Sequence, residues 1–130
     1  MNAPVSHADL LSRPLYAHLA TIRPDGAPLV NPMWFLWDDA RGVLKLTHTK
    51  RRNNYNFIRR EPRIAFAISD PDDPLRYLQI RGVVEAIDDD PSGAFHEELQ
   101  QRYNGYVTEV SEREDRVIIT VRPTGFKVRG

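Results

Sequence analysis

Cysteine is absent from the 130-residue chain, and no long apolar run occurs in it. Without thiols the protein can form no disulfide, no thiolate metal site and no cysteine nucleophile, a composition typical of a reducing compartment. No apolar stretch approaches the roughly 20 residues that cross a bilayer, and the N-terminus lacks the basic start and apolar core of a signal peptide. We therefore expect a soluble, cytoplasmic protein that has no membrane partner.

A net charge is also missing. The chain has 18 basic and 18 acidic residues, so no overall electrostatic field would draw it to nucleic acid. Its length and its 41% hydrophobic content are enough for one domain with a buried core and too little for two. We expect a single domain over residues 1–130 and no nucleic-acid partner.

Signatures of catalytic and metal sites are not found either. The sequence contains no G-x-S-x-G or Walker motif, and none of its serines has a flanking sequence typical of a nucleophile. Its histidines lie on separate predicted elements without the spacing of metal ligands, so we expect no metal site. They are His7, His18, His48 and His96. Any difficult chemistry would therefore come from a bound cofactor.

Alternating apolar residues predict seven short strands, and helical spacing predicts short helices around them. The predicted strands cover residues 16–23, 29–37, 43–47, 63–69, 77–87, 116–121 and 125–128. One helix is predicted at about 6–13, a basic one follows the third strand, and another begins at Asp90 and ends at Gly105. The pattern indicates a mainly β protein: a barrel of six to eight mostly antiparallel strands at about 16–129, with two or three helices outside it.

Three local features make this prediction more specific. Ser6 and Asp9 have the spacing of a capping box at the start of the first helix. Pro32 lacks the N–H that a central strand needs, which predicts an edge or bulged strand. Gly82, inside the longest predicted strand, indicates a bulge or a tight bend.

A basic segment at residues 50–63 sets six cations against one acid, Glu61. The preceding strand ends in the hydroxyls of Thr47 and Thr49, so hydroxyl donors, helix amides and arginine forks would meet, which is the chemistry that binds phosphate. The alternative is an ordinary solvated helix face. In either case the last three cations are expected to form exposed ion pairs. The six are Lys50, Arg51, Arg52, Arg59, Arg60 and Arg63.

Three segments carry an ordered set of features: HLATIRPDGAPLVNPMWFLWDD, LTHTKRRNNYNFIRREPRIAFAISDPDDPLRYLQIRGVVEAI and RVIITVRP. The set combines an aromatic second strand, a threonine-rich strand end, an arginine-rich helix before a proline and a D-P-D-x-P loop. In this combination the chain resembles the pyridoxamine 5'-phosphate oxidase-like split-barrel family over residues 16–128, most closely its short flavin- and deazaflavin-dependent oxidoreductases. The resemblance implies an FMN-binding split barrel that forms a homodimer, with the cofactor in a cleft between the subunits.

The resemblance also implies a cofactor, with coenzyme F420 as first choice and FMN as second. Its ring would lie along the second and third strands, its phosphate would meet the basic residues after the third strand, and the partner's Tyr77 would complete the cleft. Asn54 stands where the family often has a lysine, so the ionic hold on phosphate would rest on Lys50 and Arg52. The implied cofactor-binding residues are Asn31, Pro32, Met33, Trp34, Thr47, Thr49, Lys50, Arg52, Asn54 and Tyr77.

The implied function is that of an oxidoreductase transferring a hydride between coenzyme F420 or FMN and a small unsaturated or quinone-like substrate. The residues themselves indicate no general acid, and the proton would come from solvent or from Tyr77. An apolar cleft with cationic edges also suits storage. The alternative is therefore a non-catalytic carrier of flavin, haem or another flat anionic ligand.

Overall fold

The computed structural model describes every residue from Met1 to Gly130. Its strands are β1 (Ala17–Ile22), β2 (Pro28–Met33), β3 (Leu36–Asp38), β4 (Val43–Thr49), β5 (Arg63–Asp70), β6 (Asp73–Asp89) and β7 (Arg116–Arg129). Its α-helices are α1 (Asp9–Ser12), α2 (Asn53–Arg60) and α3 (Ala94–Asn104), and short 3-10 turns cover Val5–His7 and Arg113–Asp115. None of the helices combines the length and the apolar character needed to cross a bilayer.

The seven strands form one antiparallel sheet that closes on itself. Their order is β2-β1-β5-β6-β7-β4-β3, which places β2 and β3 at opposite ends of the sheet. Only two residues separate the end of β2 at Met33 from the start of β3 at Leu36. Three peptide steps span at most about 11 Å, so the two ends of the sheet must meet. The sheet is therefore curled into a barrel, and the predicted mainly β barrel with outer helices is confirmed.

Alternate strand residues point into the barrel and form its core. Leu44 and Leu46 of β4 lie opposite Val121 and Ile119 of β7, and all four are fully buried. The helices add apolar side chains to the same cluster: Leu10 and Leu11 from α1, and Tyr55 and Ile58 from α2. Because α2 is anchored in the core and packs against β1, its first turn is held next to the end of β4.

The predicted strand at 29–37 is wrong in one respect, because it is two strands separated by Trp34 and Phe35. β2 pairs with β1 and β3 pairs with β4, so the chain must cross the seam of the barrel between them. β2 lies at an edge of the sheet, which confirms the expectation from Pro32.

The two strands predicted at 116–121 and 125–128 are one continuous strand, β7. Pro123 does not break it, since the ladder shifts register at Gly82 opposite, where the predicted bulge is confirmed. A Cβ at Gly82 would lie 2.7 Å from Val121 Cγ1 and 2.9 Å from the Arg122 carbonyl oxygen. Only glycine allows the two strands to approach this closely.

Both predicted helix starts need correction. Ser6 caps no helix: its hydroxyl lies 2.7 Å from His7 Nδ1, and the segment is divided into a 3-10 turn and the four-residue α1. The third helix begins three residues later than predicted, with Gly93 in place of Asp90 as its N-cap, at a φ of 69°. Asp90 still accepts a hydrogen bond from the Phe95 N–H at 3.1 Å, so it satisfies an amide of the first turn from outside the helix. Gly105 ends the helix as predicted.

Candidate cofactor site

The junction between β4 and α2 is the place where the predicted phosphate ligands meet. Thr49 ends β4, and its hydroxyl accepts a hydrogen bond from the Arg51 N–H at 3.1 Å, which turns the chain sharply from strand to helix. Arg52 is the N-cap of α2, with an extended backbone and no side-chain cap. In the first turn of α2 the Tyr55 N–H donates to the Arg52 carbonyl oxygen at 3.1 Å, so the Asn53 and Asn54 amides and the positive end of the helix dipole are presented beside the Arg52 side chain.

The three consecutive cations at this junction differ in their pairing. Lys50 Nζ lies 2.8 Å from Asp89, whose hydrogen bond raises the pKa of Lys50 above its ordinary value. Arg51 is paired twice, at 2.6 Å with Glu114 and at 2.5 Å with Asp115. Arg52 is exposed and forms no ion pair. Arg52 is therefore the cation that remains available to an anion.

Two buried polar atoms near the same junction have no partner in the protein. One is the hydroxyl oxygen of Thr47, and the other is His48 Nε2. His48 Nδ1 accepts a hydrogen bond from the Thr49 N–H at 2.9 Å, so the proton of the neutral ring resides on Nε2. Burial, together with the Arg52 and Arg116 charges, lowers the pKa of His48 to about 4. Both groups are hydrogen-bonding positions left over for water or for a polar ligand.

Asn54, expected to bind phosphate, is buried and holds α2 to the barrel. Its side-chain oxygen accepts a hydrogen bond from the Thr21 hydroxyl at 2.9 Å. Only its amide nitrogen remains for a ligand. The uncharged residue at this position thus has a packing role that the sequence did not indicate.

The β2 residues of the predicted site are divided between two faces of the sheet. Asn31 and Met33 pair with the buried Leu19 and Ala17 and share their inward face, whereas Pro32 is exposed on the outer face. Met33 packs directly against the core. The four consecutive residues at 31–34 therefore cannot all direct their side chains at one ligand.

Trp34 is held by α3, a contact that no pattern in the sequence indicated. Its ring is stacked on Tyr103, with centroids 4.9 Å apart and planes 9° from parallel, and His96 lies at 6.2 Å. The Tyr103 hydroxyl accepts from the Phe35 N–H at 3.0 Å and donates to the Leu15 carbonyl oxygen at 2.6 Å. Burial, with a smaller effect of the Arg116 charge, lowers the pKa of His96.

Tyr77 is far from the junction within its own chain. It pairs with Arg129 at the end of β7, whereas Thr49 pairs with Arg116 at the start of that strand. The two positions are separated by on the order of 40 Å of strand. A tyrosine at this position can join the site only if a second copy of the chain supplies it.

An uncovered groove runs over the outer face of β1, β5 and β6. One cavity of about 570 Å³ is continuous with a second of about 300 Å³, because both are lined by Ala20, Ala65 and Arg81. No helix covers this face, and its alanines leave room for close approach of another surface. Metal binding has no comparable place, since no three His, Asp or Glu side chains are grouped to hold an ion.

Comparison with known families matches residues 5–129 to the pyridoxamine 5'-phosphate oxidase family model. The chain belongs to this family. A solved structure of an F420 reductase has 53% sequence identity and a TM-score of 0.90, with 96% of this chain and 98% of that chain covered. No curated protein sequence matched the chain.

Two solved structures of lower sequence identity have the same barrel fold. A conserved hypothetical protein from Mycobacterium tuberculosis is 26% identical, with a TM-score of 0.77 over 99% of this chain and 85% of that one. General stress protein 26 from Bacillus anthracis is 19% identical, with a TM-score of 0.70 over 94% and 89%, and shows the fold alone. The resemblance inferred from the sequence motifs is confirmed at the level of family and fold.

The residues at the β4–α2 junction of this pyridoxamine 5'-phosphate oxidase family member fit a cofactor that carries a phosphate group. They provide one unpaired guanidinium at Arg52, free helix amides and the unpartnered hydroxyl of Thr47. Charge-assisted hydrogen bonds from such a set are the strong ones for a phosphate oxygen.

Proposed function

We propose that the protein is an oxidoreductase that binds coenzyme F420, with FMN as the alternative cofactor, and holds the cofactor's phosphate at the β4–α2 junction. The observation that carries this proposal is the unpaired Arg52 beside the free amides of α2. The 53% identity to an F420 reductase supports coenzyme F420 as the first choice.

Arg52 would make the main ionic contact with the phosphate. Lys50 would contribute less, because Asp89 already compensates its charge at 2.8 Å. The hydroxyls of Thr47 and Thr49 and the amide nitrogen of Asn54 would add neutral hydrogen bonds. His48 would remain neutral above about pH 5, since its pKa is lowered to about 4.

The flat ring of the cofactor would lie near the seam, along the backbone of Asn31, Pro32, Met33 and Trp34, whose side chains do not all face it. The bound coenzyme would supply hydride transfer to or from a small unsaturated or quinone-like substrate. The protein's part would be to position the rings and to exclude water. Tyr103 would keep Trp34 in one orientation, because it stacks on the indole while its hydroxyl is held by the Phe35 N–H and the Leu15 carbonyl oxygen.

A homodimer is part of this proposal, because the distance along β7 leaves only the partner's Tyr77 to complete the site. The groove over β1, β5 and β6 offers a surface for the second copy, with Ala20, Ala65 and Ala67 outward on two adjacent strands. Stable interfaces bury about 800 Å² on each partner.

The test is a parallel titration of purified protein with coenzyme F420 and FMN, followed by absorbance and fluorescence. Tight binding of F420 and reoxidation of its reduced form that depends on a quinone-like acceptor would support the oxidoreductase. Binding without turnover over a panel of acceptors would favour the non-catalytic carrier instead. Binding of neither coenzyme would contradict the proposal.

A further inference from the structure

Glu112, in the loop between α3 and β7, is held against the end of β4 by hydrogen bonds. The Arg116 guanidinium donates to the carbonyl oxygen and to the hydroxyl oxygen of Ser111, each at 3.0 Å. Arg116 itself lies opposite Thr49 in the β4–β7 pair. The residue next to Ser111 is therefore brought to the place where β4 ends.

The backbone of the β4–α2 junction fixes Glu112 from the other side. The Asp115 N–H donates to the Glu112 carbonyl oxygen at 2.9 Å, and the Lys50 N–H donates to the Asp115 carbonyl oxygen at 3.0 Å. The Glu112 carboxylate is thus placed beside the segment that carries Arg52.

Glu112 is held in this position in spite of two unfavourable features. It is the only residue other than glycine with a positive φ, at 54°. Its Oε2 atom is buried and accepts no hydrogen bond, and no cation reaches the carboxylate within ion-pair distance. Backbone outliers that the fold maintains at such a cost are concentrated at functional sites.

The carboxylate of Glu112 is charged at neutral pH. Hydrogen bonding from the Thr49 hydroxyl and the nearby Arg52, Arg51 and Arg116 charges lower the pKa of Glu112 below its usual range. It therefore adds a negative charge to the surroundings of the anion site.

Carboxylates slightly outnumber cations around the junction. The cations are Lys50, Arg51, Arg52 and Arg116, and the carboxylates are Asp89, Asp90, Glu112, Glu114 and Asp115. Asp89, Glu114 and Asp115 are each in contact with a cation, whereas Glu112 interacts with the arginines only beyond ion-pair distance. An anion placed at Arg52 would therefore be repelled by the Glu112 carboxylate.

We propose that Glu112 determines which phosphate the site accepts, admitting the single charge of a phosphodiester and opposing the double charge of a terminal phosphate monoester. The inference rests on the proposed function, since it assumes that Arg52 is the phosphate anchor. Coenzyme F420 carries its phosphate as a diester. FMN carries a monoester, which is close to doubly charged at neutral pH because its second pKa is about 6.

The test compares the wild-type protein with Glu112→Gln, which keeps the shape of the side chain and removes its charge. Dissociation constants for FMN and coenzyme F420 are measured by fluorescence at about pH 8, where the monoester is fully ionised. Glu112→Gln is expected to tighten FMN binding by about tenfold or more and F420 binding by about threefold or less, because the repulsion from Glu112 grows with the charge of the phosphate group held at the site.

The matched control is Glu114→Gln, in the same loop. Glu114 is exposed and paired with Arg51, so its change should alter both affinities by about twofold at most. Equal tightening of both coenzymes by Glu112→Gln, or no change in either, would overturn the assignment.

A protein that binds neither coenzyme would contradict the proposed function separately. The three proteins are then titrated with phenyl phosphate and with its methyl ester, followed by calorimetry. Compared with the wild-type protein, Glu112→Gln is expected to bind the doubly charged phenyl phosphate more tightly by a larger factor than the singly charged methyl ester. An equal change in affinity for both probes, no change for either, or failure of both probes to bind would rule out the role of Glu112.

Discussion

The Thr21 hydroxyl donates a hydrogen bond of 2.9 Å to the side-chain oxygen of Asn54, and both residues are buried. The bond joins β1 to the first turn of α2, 33 residues apart in the chain. It fixes the helix start, and with it the direction of the free amides and of Arg52.

Thr21→Val should therefore lower the free energy of unfolding by about 1 to 3 kcal/mol, because it keeps the volume and leaves a buried amide oxygen without a donor. Thr21→Ser retains the hydroxyl and is expected to cost clearly less. Urea unfolding followed by tryptophan fluorescence measures both. Equal losses for the two variants would show that packing, and not the hydrogen bond, holds α2 in place.

Removal of the Arg52 charge tests the phosphate anchor. Arg52→Ala should weaken binding of the phosphate-bearing coenzyme by about tenfold or more, since a hydrogen bond to a charged group contributes about 1.5 to 3 kcal/mol. The measurement is a fluorescence titration with coenzyme F420, repeated with FMN.

Arg60→Ala is the matched control for Arg52, because it removes an exposed, unpaired arginine from the other end of α2. Its affinity should equal that of the wild-type protein. If both variants lose affinity to the same degree, the effect is one of general charge, and the anchor lies elsewhere.

Stability should depend on pH through His48. Burial lowers the folded-state pKa of His48 from 6.5 to about 4, so the unfolded chain binds more protons between these values. The stabilisation is complete above pH 6.5 and is lost as the pH falls toward 4. Between about pH 7.5 and 4.5 the loss from this one group should be about 2 to 3 kcal/mol.

His48→Gln removes the titrating ring and should flatten the decline over this pH range. Unfolding by urea at several pH values compares the variant with the wild-type protein. Parallel pH curves for the two proteins would assign the decline to other groups, such as the paired carboxylates of Asp9 and Asp70, whose pKa values are lowered.

The barrel could be predicted from the sequence because its strands are encoded locally. Alternation, turn residues and Gly82 determine where each strand pairs and bends, and these signals survive in a single sequence. The division of the strand at Trp34 and Phe35 could not be predicted in this way. It follows from which distant strands β2 and β3 pair with, and that is a property of the closed sheet.

The sequence predicted which segment of the chain forms the candidate site, but not which of its side chains are free to bind a ligand. The threonines at the end of β4 and the basic residues after it identified the junction. Which cation remains free to bind an anion depends on the ion pairs that form in the folded chain. Arg51 is neutralised by acids more than 60 residues away, and Arg52 is not. Tyr103 and Glu112 were missed for the same reason, since nothing near them in the sequence points to the residues that they contact.

Self-association through the uncovered groove can be tested at Ala65, which faces outward from β5 and lines both of its cavities. Ala65→Glu should convert a dimer to a monomer, because the larger side chain, paired with Arg81 opposite it, would fill the groove that the second copy has to occupy. Light scattering after size-exclusion chromatography measures the mass. Val107→Glu places the same charge on an exposed position outside the groove and should remain dimeric. The monomer is also expected to bind coenzyme F420 less tightly, since it lacks the partner's Tyr77. A wild-type protein that is already monomeric, or a monomeric variant with unchanged affinity, would show that one subunit forms the whole site.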